Sequence, residues 1–178
     1  MKKIALAAFL LSLLYGSPFL FSENASSLRF GLEAGGNLDI PLAMELVDGT
    51  GSFPGGAVLG IYLGDDVFGD IFVNLKYDSF EEFGAVSTEA GVRRILIDGL
   101  ETRMELSFSG YYGYRSDFIV RDVGIITMGS IASLGMAWDL GGNLSLVLSQ
   151  GLRVGYDLDA FSFAFPTLMS CRYQILEY

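Results

Sequence analysis

The sequence predicts an all-β chain: an eight-stranded antiparallel transmembrane barrel of the up-and-down type, preceded by a secretory leader. Three observations carry that expectation. An every-other-residue alternation of apolar and polar residues recurs in segment after segment, so that each strand has one oily face and one polar face. The chain begins with a short positive-then-apolar run of the kind that directs export. After it, no stretch approaches the roughly 20 apolar residues of a membrane-spanning helix, although 51% of the chain is hydrophobic. An exported, strongly apolar chain without such a helix can satisfy its backbone in a membrane only as a closed barrel.

The leader is read first. Lys2 and Lys3 form a positive region, Ile4–Tyr15 is uncharged and apolar, and Gly16, Ser17 and Pro18 break the run before polar Ser22–Ser27. The expected division is a signal peptide over 1–22 and a barrel over 23–178, with Ser22 preferred to Gly16 as the last leader residue. No cysteine near the cleavage point marks a lipoprotein; the only one, Cys171, has no partner for an internal disulfide and reads as a small apolar filler. The net charge of −10 argues against nucleic acid as a partner.

The strands follow in order. Ser27–Ile40 sets Leu28, Phe30, Leu32, Ala34, Gly36, Leu38 and Ile40 against Arg29, Gly31, Glu33, Gly35, Asn37 and Asp39. Pro41–Pro54 reads as a long loop with Gly49, Gly51 and Pro54 as breakers. Gly55–Leu63 places Ala57, Leu59, Ile61 and Leu63 on one face, and Gly64-Asp65-Asp66 turns the chain. Phe68–Ser79 points Ile71, Val73, Leu75 and Tyr77 outward and Asp70, Asn74 and Lys76 inward, with Phe72 an apolar exception. Phe80–Gly84 is a short acidic loop. Ala85–Leu96 opposes Val86, Thr88, Ala90 and Val92 to Ser87, Glu89, Gly91 and Arg93. Arg94 then falls on the oily face, and a position at the periplasmic rim is preferred to a bulge.

A turn at Ile97-Asp98-Gly99-Leu100 leads to Glu101–Tyr114, with Met104, Leu106, Phe108 and Tyr112 opposite Arg103, Glu105, Ser107 and Ser109. Arg115–Asp122 is a charged loop. Val123–Trp138 sets Ile126, Met128, Ala132, Leu134, Met136 and Trp138 outward. Asp139–Asn143 is a glycine-rich turn into Leu144–Tyr156, where Leu146, Leu148, Leu152 and Val154 alternate with Ser145, Ser149, Gly151 and Arg153. Asp157–Phe161 turns into Ser162–Tyr178, where Pro166 is expected at the outer end or at a bulge, because it lacks a ladder donor.

Short connections alternate with longer ones, as periplasmic turns and outer loops do. Tyr77, Tyr112, Tyr114 and Tyr156 fall near one end of the strands and Trp138 near the other, which is the placement of two interfacial girdles. With these features the chain resembles the small outer-membrane proteins of the OmpX/OmpW/OmpA-barrel type over everything after the leader. The resemblance implies an outer-membrane location, lipid and the barrel-assembly machinery as partners, and a single-copy barrel. The chain ends Gln174-Ile175-Leu176-Glu177-Tyr178, and Leu176 and Tyr178 are similar to the terminal signal read by that machinery.

An eight-stranded barrel is just wide enough for side chains to fill. The inward charges are Arg29, Glu33, Asp70, Lys76, Glu89, Arg93, Arg103, Glu105 and Arg153, of mixed sign. They are expected to pair and plug the lumen, which is preferred to an ion pathway gated by the same pairs. A serine hydrolase acting on lipid lacks its base, because the chain has no histidine. No metal cluster and no cofactor are expected. Two functions follow: a structural or surface-interaction barrel, which is preferred, and a narrow channel for small or hydrophobic solutes.

Overall fold

The computed structural model describes residues 28–41, 55–65, 69–79, 83–99, 101–117, 124–157 and 160–177. The leader, the long 42–54 connection and Tyr178 lie outside the described residues. The strands are β1 Leu28–Pro41, β2 Gly55–Asp65, β3 Gly69–Ser79, β4 Phe83–Asp98, β5 Thr102–Asp117, β6 Gly124–Gly141, β7 Leu144–Asp157 and β8 Ala160–Glu177. Each pairs antiparallel with its sequence neighbour, and β8 pairs with β1 to close the barrel. All-antiparallel closure leaves no edge strand, so the ladders bond round the whole barrel except at local breaks.

The alternation sets which face is which. In β3 the even residues Asp70–Asp78 are buried while Ile71, Val73, Leu75 and Tyr77 are exposed. The same split runs round the molecule: Leu32, Leu59, Val73, Leu134 and Leu148 point outward and are exposed, and Leu106 points outward half-buried. An outer surface of exposed leucine, valine and phenylalanine around a charged interior is the inverse of a water-soluble barrel. One end, here the proximal end, holds Leu28, Glu177 and the short connections at 66–68, 99–101 and 142–143. Tyr77, Tyr114, Tyr112 and Tyr156 stand near the distal end and are all exposed. Trp138, paired with Thr102, is at the proximal end.

Several local expectations are corrected. The hairpins are tighter than breaker residues suggest: Phe83 and Gly84 belong to β4, as do Ile97 and Asp98, residues 115–117 to β5 and 139–141 to β6. Ladder hydrogen bonds carry the strands through residues that read as turn formers. The β6–β7 turn is reduced to Gly142-Asn143, with Gly141, Gly142 and Asn143 all at positive φ (88°, 61° and 67°), a conformation glycine and asparagine tolerate best. A bulge does exist in β4, between Ile95 and Ile97, but below Arg94 rather than at it. A second falls beside Phe30 and Gly31, opposite Ile175. Pro166 sits well inside β8, facing the lumen. It is accommodated by a break in the β7–β8 ladder, where the pairing jumps from Gln150–Thr167 to Arg153–Ala164. Thr167 donates to Gln150 at 2.8 Å there, and the Gln150 amide reaches the Pro166 carbonyl at 3.4 Å, so two side chains bridge the gap.

Candidate functional site

The site is the charged interior. Glu33 of β1 is 1% exposed and is its hub. Its Oε2 accepts from Arg93 Nη2 of β4 at 2.7 Å and from Arg172 Nε of β8 at 3.1 Å, and its Oε1 accepts from Ser170 Oγ at 2.5 Å. Across the lumen Glu105 of β5 lies 2.6 Å from Arg172 Nη1 and 3.6 Å from Arg93 Nε. Glu33, Arg93, Glu105 and Arg172 therefore form a closed ring in which acid and base alternate. It joins the β8–β1 side of the barrel to the β4–β5 side. Each carboxylate has two guanidinium partners and each guanidinium two carboxylates, the arrangement that offsets the desolvation of buried charge.

The lattice extends from the ring. Asp70 bridges Arg93 at 3.3 Å and Arg29 at 3.5 Å, tying β1, β3 and β4. The Arg93 guanidinium also lies over the Phe72 ring, 4.8 Å from its centroid, so the apolar exception on β3 is a platform for the cation. Towards the distal end Lys76 pairs with Glu89, which also accepts from Ser109 at 2.5 Å, and Asn37 donates to Asp78 at 2.5 Å. Arg153 stands over Tyr111 at 5.7 Å. Arg103 departs from the expected arrangement. It is drawn to the proximal rim, where it pairs with Asp139 at 2.8 Å and donates to Ser145 at 3.3 Å, outside the ring.

Space for these long side chains comes from inward glycines. A Cβ on Gly31 would strike the Tyr62 ring, one on Gly60 the Asn74 amide, and one on Gly155 the Tyr111 hydroxyl. Small residues on one strand thus set the reach of large ones on the next. Among the described residues the interior leaves two cavities that Glu105 and Arg172 both border. The larger, about 250 Å³, opens among Arg29, Asp70, Arg103 and the β6–β7 turn; the smaller, about 40 Å³, lies between Lys76, Glu89, Ser133 and Ser149.

Arg172 and Asp78, buried in the lumen, are absent from the charge set read from sequence, as is Asp139 at the proximal rim. Pro166 keeps the inward phase, but Thr167 and Leu168 after it invert the polar and apolar order of the last segment and hide Arg172. Beyond them the pattern resumes, with Met169, Cys171 and Tyr173 exposed and Ser170 and Arg172 buried. Of the terminal pair, Leu176 is exposed beside Phe30. Among the described residues no three acidic, cysteine or histidine side chains gather in a way that would hold a metal ion.

No protein-family model and no curated protein matches the sequence. Among solved structures the chain is similar to Neisserial surface protein A, with 12% identity, 84% of this chain and 99% of that chain covered, and a TM-score of 0.53. It is also similar to Ail, the attachment invasion locus protein of Yersinia pestis, solved in complex with the heparin analogue sucrose octasulfate. There the identity is 11%, the coverage 84% and 98%, and the TM-score 0.52. At such identities the likeness is one of fold. The chain has the fold of the small eight-stranded outer-membrane barrels.

Proposed function

We propose that this protein is an integral outer-membrane barrel that serves as a structural, surface-interacting element, with its lumen sealed by its own charges. The observation that carries the reading is the Glu33–Arg93–Glu105–Arg172 ring, which spans the interior from one wall to the other. A solute crossing the barrel has to break buried ion pairs, and separating one such pair is worth on the order of 3–5 kcal/mol. The outer wall takes up membrane lipid as a single copy. Tyr77, Tyr112, Tyr114, Tyr156 and Trp138 set the depth in the bilayer.

Contact with the outside falls to the distal connections, of which residues 42–54, between β1 and β2, form the longest. A short epitope tag inserted within 42–54 is expected to be labelled on intact cells, while a tag in the 142–143 turn is labelled only after permeabilisation. The reverse pattern would overturn the orientation, and equal labelling of both would overturn the membrane location.

A narrow channel is the second reading, and one observation favours it. Glu105 and Arg172 line both cavities, so displacement of either side chain would enlarge the space the two share. Conductance separates the two readings.

A further inference from the structure

Of the basic side chains described, all but one are turned to the lumen. Arg29, Lys76, Arg93 and Arg172 are buried there, and Arg103 and Arg153 are half-buried. Arg94 is the exception. It follows Arg93 in β4, so the alternation that sends Arg93 inward sends Arg94 out, and it is exposed. It makes no hydrogen bond, ion pair or ring contact with any described residue.

Its surroundings are apolar. Arg94 pairs across the ladder with Leu106. On its own strand Val92 lies above it, and Leu96 and Ile97 lie below, both turned outward by the bulge and 49% and 60% exposed. The height can be estimated from β5. Outward residues from Met104 to Tyr114 span ten residues. At about 3.3 Å per residue and a tilt near 40° that is about 25 Å, the height of a transmembrane apolar band. Leu106 stands two residues, about 5 Å, above Met104, and its ladder partner Arg94 lies within about 3 Å of that height on the tilted strands, so Arg94 sits close to the proximal boundary of that band. An arginine stem can lay its methylenes along Leu96 and Ile97 and bring the guanidinium to that boundary. The groups waiting there are lipid phosphates, whose oxygens match the planar fork of the guanidinium. Asp98 and Glu101, exposed farther down the same hairpin, give the rim no general positive collar, so attraction is confined to one point.

We propose that Arg94 is a phospholipid-binding position: it holds the phosphate of one anionic phospholipid in the proximal leaflet, with the acyl chains laid against Val92, Leu96 and Leu106. The proposal rests on the reading that the outer wall faces lipid. Free phosphate in solution is not the expected ligand, because the apolar collar offers it nothing.

The test uses the full-length protein refolded in nonionic detergent with either phosphatidylglycerol or phosphatidylcholine, with bound lipid counted by native mass spectrometry. Wild type is expected to retain one phosphatidylglycerol, and Arg94→Met to retain at least fivefold less. Methionine suits a lipid-facing site, so the variant keeps the barrel foldable, and Arg94→Gln is expected to agree with it. Inorganic phosphate at millimolar concentration is expected to leave the bound lipid in place. Unchanged retention in both variants, or displacement by inorganic phosphate, would overturn the proposal. Protease protection in vesicles of the same lipids is read in parallel. If wild type enters vesicles and the variants keep their lipid, only this inference fails; if wild type does not enter them, the membrane reading fails and takes this one with it.

Discussion

Interior space is allotted residue by residue. Gly35 and Gly36 are adjacent in β1 and face opposite ways, Gly35 into the lumen and Gly36 outward. A Cβ on Gly35 would overlap the Met169 carbonyl and the Ser170 Cα and Cβ of β8, whereas one on Gly36 meets only the Gly56 carbonyl at 3.4 Å. Gly35→Ala is therefore expected to destabilise the barrel by about 1–3 kcal/mol, the usual scale for an overpacked site. Gly36→Ala is expected to be neutral or to stabilise by up to about 1 kcal/mol through lost chain entropy. Urea unfolding in vesicles measures both, and equal effects would contradict the assignment of faces. Glu105→Ala removes two ion-pair partners at once, from Arg93 and Arg172, and is expected to destabilise by about 3–5 kcal/mol, less where water enters. Sequence spacing shows that Glu33 and Glu105 face inward, because period-2 alternation fixes the face. It does not show that they share the same two arginines. That depends on the stagger between strands, which sets which residues of β1 and β5 meet across the lumen.

At the level of strands, register decides depth. Leu106 pairs with Arg94 on one side and Leu134 on the other, so on the tilted strands Arg94 and Leu106 lie within about 3 Å in height. A rim position for Arg94 and a mid-membrane position for Leu106 cannot both hold. The midpoint of the apolar run of β5 is nearer Phe108, which is flanked by Val92 and Ala132 and is 54% exposed. Phe108→Arg is expected to cost about 2–4 kcal/mol of folding free energy in lipid, and Leu106→Arg markedly less; equal costs would remove the depth assignment. The β7–β8 ladder is the weak seam, because Pro166 leaves Gly151 and Leu152 without ladder partners on that side. Amides at 151–152 are expected to exchange with solvent deuterium sooner than those at 146–148. The alternation makes strand existence and facing legible wherever it runs unbroken, as in β1 and β3. It fails to place strand ends, since ladder bonds extend β4 and β6 through Asp98 and Gly141, and it fails past Pro166, where Arg172 lies.

For the whole molecule, two arrangements act together. An apolar outer wall surrounds the barrel, and a lattice in which opposite charges alternate crosses its interior. The second is what distinguishes a sealed surface barrel from a channel, because the backbone barrel is the same in both. The lattice also ties the first strand to the last, through Glu33 and Arg172, which pair directly across the β1–β8 closure. Barrel closure and the interior charge lattice therefore draw on the same residues.

Single-channel conductance of the refolded protein in a planar bilayer tests the central claim most directly. Wild type is expected to give no stable conducting state, and Glu105→Ala to give a small, noisy conductance as the charge lattice across the lumen is loosened. Well-resolved, long-lived channel steps from wild type would contradict the sealed lumen and establish the narrow channel in its place.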